Sequence, residues 1–317
     1  GAIAAMHRYK FVLTRPLQFL PVIFGISVIT FVLVRLIPGD PARNILGTRA
    51  TPAALASIRA QYGLDQPMWL QYFYFIKNLG NGEMGKSILY KIDVLPLIST
   101  RIEPTIALVV TSVILSILIA VPMSAIAARN VGRAPDHIVR VVSTFGIGFP
   151  PFWLGLMLII LFSVELGVLP VSGYGSTIGE KIAHLILPAL TVALSLSTVL
   201  TRSLRAAMIE SLKSDVATAA RARGMPEGIV FWRHVVPNSL VPTINLLAVN
   251  IGWLIGGTVV VESVFALPGM GQLLVRAIFS RDYMVVQGVA MVFACATVLV
   301  NFLADIVTVA VDPRVKL

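Results

Sequence analysis

A chain of 317 residues that is 57% hydrophobic and 13% charged, with a mean hydropathy of +0.88, carries more apolar surface than one soluble core can hide. This excludes a single water-soluble domain and implies an all-α, polytopic integral membrane protein, since every backbone polar group must be paired within lipid. The net charge of +10 reads as topology rather than as a nucleic-acid footprint, so no nucleic-acid partner is expected.

Residues 1–16 form a basic cytoplasmic segment through Arg8, Lys10 and Arg15, followed by an apolar run from Leu17 to Ile37. No small-residue cleavage site follows Leu36, so residues 17–37 are expected to be an uncleaved first transmembrane helix rather than a signal peptide. Residues 38–104 read as a small external subdomain. Its Trp69, Tyr72, Tyr74 and Phe75 suit either the packed core of that subdomain or an exposed contact surface. Gly80 to Ser87 satisfy GxxxxGK[ST], the spacing of a phosphate-cradling loop. That loop needs a buried strand before it, a helix after it and an acidic residue on a second strand for magnesium. None of these is evident, so the segment reads as a glycine-rich turn.

Five further apolar stretches make up the core at 105–311, each long enough for the roughly 20 helical residues that a crossing takes. They run from Thr105 to Ala128, Ile138 to Leu166, His184 to Leu200, Val241 to Val261 and Met284 to Val311, giving six transmembrane helices in all. Phe149, Pro150, Pro151 and Phe152 interrupt the third. Charge resolves that ambiguity: Arg129, Arg133 and Arg140 precede this stretch, and Arg202, Arg205, Lys213, Arg221, Arg223 and Arg233 follow the next. Both loops are therefore cytoplasmic by the positive-inside rule, and one kinked span plus the fourth gives the even number of crossings between them. The 312–317 tail, with Arg314 and Lys316, places the C-terminus in the cytoplasm beside the N-terminus.

The segment 201–238 is too charged for lipid. Leu204, Met208, Leu212, Val216 and Ala220 fall at i+4 intervals on one helix face, while Arg205, Lys213, Asp215, Arg221 and Arg223 lie off it. Gly224 is expected to stop this helix, Pro226 and Glu227 to start a second, and Pro237 to end that one. In the fifth span, Asn245, Asn250 and Thr258 form a more polar side, with Gly252, Gly256 and Gly257 permitting close helix approach. Both a helix interface and the wall of a translocation path want such residues.

Catalytic signatures are missing: no HExxH, no GxSxG and no paired metal-ligand spacing occur. The histidines at 7, 137, 184 and 234 are scattered, and the lone Cys295 excludes an internal disulfide. Glu165 reads as interfacial and Asp305 as paired or snorkelling near a span end.

Several motifs carry a family resemblance. Ala219, Ala220 and Gly224 at their spacing, then Pro237 after a further helix, resemble the EAA loop of ABC importer permeases. Ile37-Pro38-Gly39-Asp40-Pro41, Gly63-Leu64-Asp65-Gln66-Pro67 followed by Gln71-Tyr72, the run from Pro150 to Tyr174, Glu262 to Gly271, Arg281 to Gly288 and the ending Asp312-Pro313-Arg314 are similar to the peptide and nickel permease family. The similarity spans nearly the whole chain and is nearest to the first of the two permeases of dipeptide and oligopeptide importers. Thr218 stands where the family often has Glu, and His234, Val235 and Val236 precede Pro237 in place of an Ile-x-Leu ending. These departures weaken a salt bridge from the first motif position but not the docking.

The resemblance implies a type I ABC importer permease fold in the bacterial cytoplasmic (inner) membrane. It implies a second homologous permease subunit, two cytoplasmic ABC ATPase subunits or domains and an extracytoplasmic solute-binding protein as partners. ATP and magnesium would be bound by the ATPases, and this chain would hold no cofactor and no metal. Coupling to the ATPases would run through Thr218, Ala219, Ala220, Arg221, Gly224, Met225 and Pro237. Asn245, Asn250 and Thr258 are candidates for the path, and Pro268, Gly269, Met270 and Gly271 for an external contact with the binding protein. Peptides are the expected cargo, with nickel, glutathione or haem-like compounds as alternatives. An ion-driven secondary transporter is the rival class; it predicts an inverted repeat and midplane carboxylates, and no clear repeat is visible.

Overall fold

The computed structural model describes residues 2–36, 39–61 and 63–311, with the side chains of 2–18, 41, 44, 45, 61 and 308–311 outside the described set. Ile37 and Pro38 after the first span, and the 312–317 tail with Asp312, Pro313, Arg314 and Lys316, lie outside the described residues. Among those described, the chain is helical, with one isolated antiparallel bridge between Lys86 and Asp93.

In chain order the helices are α1 (Ala2–Leu36), α2 (Pro41–Leu46), α3 (Pro52–Gln61), α4 (Met68–Gly80), α5 (Val94–Arg129), α6 (Ala134–Gly148) and α7 (Pro151–Leu158). Then come α8 (Ile178–Leu212), α9 (Asp215–Ala222), α10 (Glu227–Val230), α11 (Val236–Val264), α12 (Met270–Phe279) and α13 (Tyr283–Val311). Five helical stretches are long and apolar enough to cross a membrane: Phe19–Leu36, Val94–Arg129, Ile178–Leu212, Glu227–Val264 and Tyr283–Val307. A sixth crossing arises when α6 and the helix from Pro151 to Glu165, bent by 103° relative to each other, count as one span.

The break has a local cause. Phe149 takes an extended conformation (φ −92°, ψ 124°), as a residue before proline must, and neither Pro150 nor Pro151 can donate a backbone hydrogen bond. Pro151 then opens α7, where a missing N–H costs nothing. The second span starts at Val94 rather than Thr105, so the last turns assigned to the external subdomain are helix.

Contacts gather into two compact units, residues 1–103 with 272–296, and residues 104–271 with 297–317. In the first, α4 packs on the C-terminal half of α1. Tyr72 Oη lies 2.7 Å from Ser27 Oγ, its ring meets Phe31 edge-on at 5.2 Å, and Arg35 donates to Gln71 Oε1 at 2.9 and 3.1 Å. The subdomain aromatics therefore divide. Tyr72 and Phe75 pack against Phe31, whereas Trp69 is 71% and Tyr74 48% exposed.

The phosphate-loop look-alike is a turn preceded by a helix, with Gly82 and Gly85 at φ +80° and +81°. Its Ser87 hydroxyl donates to the buried Asp282 carboxylate, which also accepts the Leu89 N–H at 3.0 Å. Ser87 is thus an anchor within the fold.

In the second unit, α8 is the central helix, buried along one side from Leu185 to Met208. Thr177 caps it, with Glu180 completing a capping box. Hydroxyls within these apolar helices return to their own backbone: Ser124 to Ala120 O, Thr191 to Leu187 O, and Ser239 to Val235 O, at 2.7 to 2.8 Å. These three hydroxyls are thereby satisfied without a partner helix. Gly146 of α6 lies so close to α8 that a Cβ would overlap Thr198 Cγ2, and Gly155 of α7 would meet Phe265 Cε2 at 3.0 Å.

Candidate coupling site

The expected continuous stripe from Leu204 to Ala220 is broken in the structure. Helix α8 ends at Leu212, and Ser214 caps a separate helix α9 by accepting the Ala217 N–H at 3.4 Å. The hydroxyl and the adjacent Asp215 suit a helix start better than a helix interior. The new phase turns Val216 outward, 51% exposed, and buries Ala217 and Ala220 instead.

Gly224 ends α9 as the sequence predicted. It sits at φ +76°, its N–H bonds Arg221 O at 2.9 Å, and Met225 N–H bonds Ala220 O at 3.2 Å. These two bonds form a Schellman cap, whose left-handed residue glycine adopts without penalty. The Met225 side chain then packs against the core that holds Ala217, Ala220, Leu204, Met208 and the buried Phe231.

Arg221 acts inside the unit. Its Nη1 caps the end of α8 at Leu212 O (3.0 Å), and its Nε pairs with Glu227 at 2.7 Å. It ties the end of α8 and the short helices α9 and α10 together across the turn.

Pro237 does not end the second helix. α10 passes through a π-helical turn, Phe231–Val235, straight into α11, with Val236 N–H reaching back to Phe231 O. The wider turn shifts the bonding pattern by one residue just where proline brings no donor, so the helix continues from Glu227 to Val264. Periodicity could not show this, because a π turn leaves no distinctive composition.

Of the seven coupling residues, Ala220 is buried, Arg221 and Met225 are half-buried, and Thr218, Ala219, Gly224 and Pro237 are exposed. Beside them lie exposed Val216, Ala222, Arg223, Ile229 and Trp232. The unit therefore presents a surface of small and apolar side chains over a packed floor.

The three path candidates do not share one side. On a regular helix, five and thirteen residues rotate Asn250 and Thr258 by about 140° and 220° from Asn245. Asn245 is exposed, Asn250 donates to Leu246 O, and Thr258 is fully buried with its hydroxyl on Ile255 O. Gly252 makes a close approach, to Thr297 Cγ2, but a Cβ at Gly256 or Gly257 would meet nothing within 4 Å.

The turn 268–271, the expected external contact, is an interior cap rather than an exposed loop. Gly269, Met270 and Gly271 are buried and only Pro268 is partly accessible. Glu262, fully buried, meets Thr105 Oγ1 at 2.6 Å, and that oxygen accepts the Met270 N–H at 2.9 Å. A Cβ on Gly269 would overlap the Glu262 carboxylate, and one on Gly271 would lie 2.6 Å from Val259 Cα. In the sequence Glu262 marks only the start of a family motif and its role as a buried cap was not legible, although an acid closing an apolar run was the available signal.

Comparison with known proteins now decides the family. Residues 120–317 match the binding-protein-dependent transport system inner membrane component family, and residues 8–90 match the N-terminal family of the same membrane components. The chain belongs to this family. The glutathione transport system permease protein GsiC of Escherichia coli (strain K12) is 36% identical over 307 residues, covering 97% of this chain and 99% of that protein. GsiC of Shigella dysenteriae serotype 1 matches equally well, at 36% over 307 residues.

Solved structures with a similar fold include the inward-facing MetNI methionine ABC transporter, at 17% identity and a TM-score of 0.58 over 68% of this chain and 96% of that one. Another is an amino acid ABC transporter with histidines, at 15% and 0.52 over 67% and 93%. The protein is thus a multi-pass inner-membrane permease of an ABC importer, with the type I importer fold.

Proposed function

We propose that this permease forms half of a translocation path beside a second homologous permease subunit and takes its driving force from two cytoplasmic ATPase subunits or domains. It is a non-catalytic subunit: ATP and magnesium belong to the ATPases, and an extracytoplasmic solute-binding protein delivers the cargo. The observation that carries this reading is the unit from Ser214 to Val235. It is a capped helix, a Schellman turn and a π turn on a packed floor, presenting Thr218, Ala219, Ala222 and Arg223 to a partner. Small residues there let a partner approach the α9 backbone closely.

Both termini lie in the cytoplasm in this reading, with α6 and α7 crossing once as a broken span. The cargo is a short peptide. Glutathione, itself a modified tripeptide, is the specific alternative favoured by the 36% identity to GsiC. The binding-protein contact falls on the subdomain between α1 and α5, whose Trp69, Phe73 and Tyr74 are exposed.

Ala219→Arg tests the docking, because the position is exposed and the fold has no reason to resist the change. The variant is expected to insert normally while ATPase subunits no longer co-purify. Undiminished co-purification with full cargo-stimulated hydrolysis would refute the docking surface. Uptake of dipeptides against glutathione by proteoliposomes holding the whole complex distinguishes the cargoes.

A further inference from the structure

The coupling unit reaches the membrane-embedded helices by two routes, one covalent and one electrostatic. The covalent route is short: α9 begins just after α8 ends, across Lys213 and Ser214. The electrostatic route starts two turns back along α8, at Arg205. Its Nε and Nη2 donate to Asp136 Oδ1 and Oδ2 at 2.6 and 2.8 Å, a two-pronged fork from α8 to the first turn of α6. Asp136 is 1% exposed and Oδ2 also accepts the Gly132 N–H at 3.0 Å, so the carboxylate holds the 130–133 turn as well as the arginine. Arg205 lies between Leu204 and Met208, which are buried in the same core as Ala217, Ala220 and Phe231 of the coupling unit.

Farther along, α6 and α8 are fastened again where Gly146 abuts Thr198. Two points of contact well separated along the helices oppose sliding and rotation of one past the other. Beyond the second point, α6 runs into the break at Phe149 and Pro150, where the direction changes by 103°.

We propose that Asp136 and Arg205 are positioning residues for coupling: they make α6 follow the end of α8, so that displacement of the docking unit is delivered to the proline break instead of dissipating in the 130–133 turn. The fork is what the task needs. A planar guanidinium meeting both carboxylate oxygens fixes an angle as well as a distance, whereas a lysine in its place keeps the charge and lets the helices pivot. The proposal rests on the docking reading above, and the two can fail separately.

The test uses the complete importer in proteoliposomes, comparing wild type with Arg205→Lys and Asp136→Asn. Three quantities are read: ATPase co-purification, cargo-stimulated hydrolysis, and cargo moved per ATP hydrolysed. In both variants co-purification and hydrolysis are expected to stay within about twofold, while cargo per ATP falls about tenfold. An unchanged transport ratio in both variants would overturn the proposal. So would loss of assembly in Arg205→Lys, which would make the pair a stability element.

A second measurement asks for motion directly. In a Cys295→Ser background, spin labels at the exposed positions His137 and Arg202 report the α6–α8 distance with and without nucleotide. One unchanging distance is expected in the wild type, broadening in Arg205→Lys; a wild-type distance that changes with nucleotide would also overturn the proposal. Cross-linking cysteines at the same two positions with a short bis-maleimide should restore cargo per ATP to the lysine variant, and failure of that rescue counts against it. If the ATPases do not associate even with the wild-type chain, the docking reading fails, while the label distances still report whether α6 and α8 are locked.

Discussion

Replacing Gly224 tests the logic of the coupling unit because space and backbone conformation make opposite demands there. A Cβ at this position would meet nothing within 4 Å, so volume is no obstacle. The obstacle is φ, at +76°. An ordinary L-residue pays about 1–2 kcal/mol in this region, and a β-branched one more. If valine pulls the backbone away, the bonds from Gly224 N to Arg221 O and from Met225 N to Ala220 O are lost, each worth about 1 kcal/mol.

Whichever course the backbone takes, valine costs about 2 kcal/mol, which at 1.4 kcal/mol per tenfold shifts the turn's population about 30-fold away from the native geometry. Asparagine visits the left-handed region with little penalty and should retain the cap. Cargo-stimulated ATPase activity of the reconstituted importer should fall in the order glycine, asparagine, alanine, valine, with membrane insertion unchanged throughout. Valine performing like glycine would refute the conformational argument. Asparagine as damaging as valine would show that the surface there tolerates no side chain of any kind.

Three other outcomes follow from the geometry. Gly269→Ala drives a methyl into the buried Glu262 carboxylate and should cost about 1–3 kcal/mol by overpacking, read as a lower melting temperature in detergent; an unshifted melt would mean the cap yields freely. Thr258→Val removes a hydroxyl bonded only to Ile255 O in a fully buried site, so cargo uptake should stay within about twofold, and a severe loss would return Thr258 to the path.

Asp40 is held below the ordinary carboxylate range, first by the Arg59 hydrogen bond at 2.6 Å and also by the Ala42 N–H. Its folded-state value is lowered, so its stabilisation is present above the unfolded value near 4 and is lost as pH falls through the lowered folded value. Both side chains are substantially exposed, so salt should weaken the effect. Limited proteolysis of the 38–104 region at pH 7 and pH 3 should show a difference that Asp40→Asn abolishes; identical pH sensitivity in the variant would exclude this pair as its source.

Local chemistry made much of the protein legible in sequence. Apolar runs of sufficient length specify lipid-spanning helices because backbone polarity leaves no other solution in lipid. Gly224 and the Pro150–Pro151 pair mark their stops through φ preference and missing donors, which neighbours do not override. The false phosphate loop at Gly80 to Ser87 could be dismissed because no buried-strand pattern precedes it, and the structure places a helix there, although the tie from Ser87 to Asp282, 195 residues away, was invisible.

What remained hidden was either non-local or a matter of phase. The break between α8 and α9 moved the buried face from Val216 to Ala217, because one serine cap outweighed an unbroken i+4 pattern. Asp136 and Arg205 stand 69 residues apart, and Thr105 and Glu262 157 apart. In the sequence Arg205 counts only toward topology, Glu262 only toward a family motif, and Asp136 and Thr105 carry no signal of a distant partner. Composition and local preference determined that this chain spans a membrane and carries a charged helical unit between two of its apolar stretches. Tertiary structure alone decided which charges become internal fasteners, since only the packing of distant helices brings a carboxylate within reach of its donor and removes the water that would otherwise satisfy both.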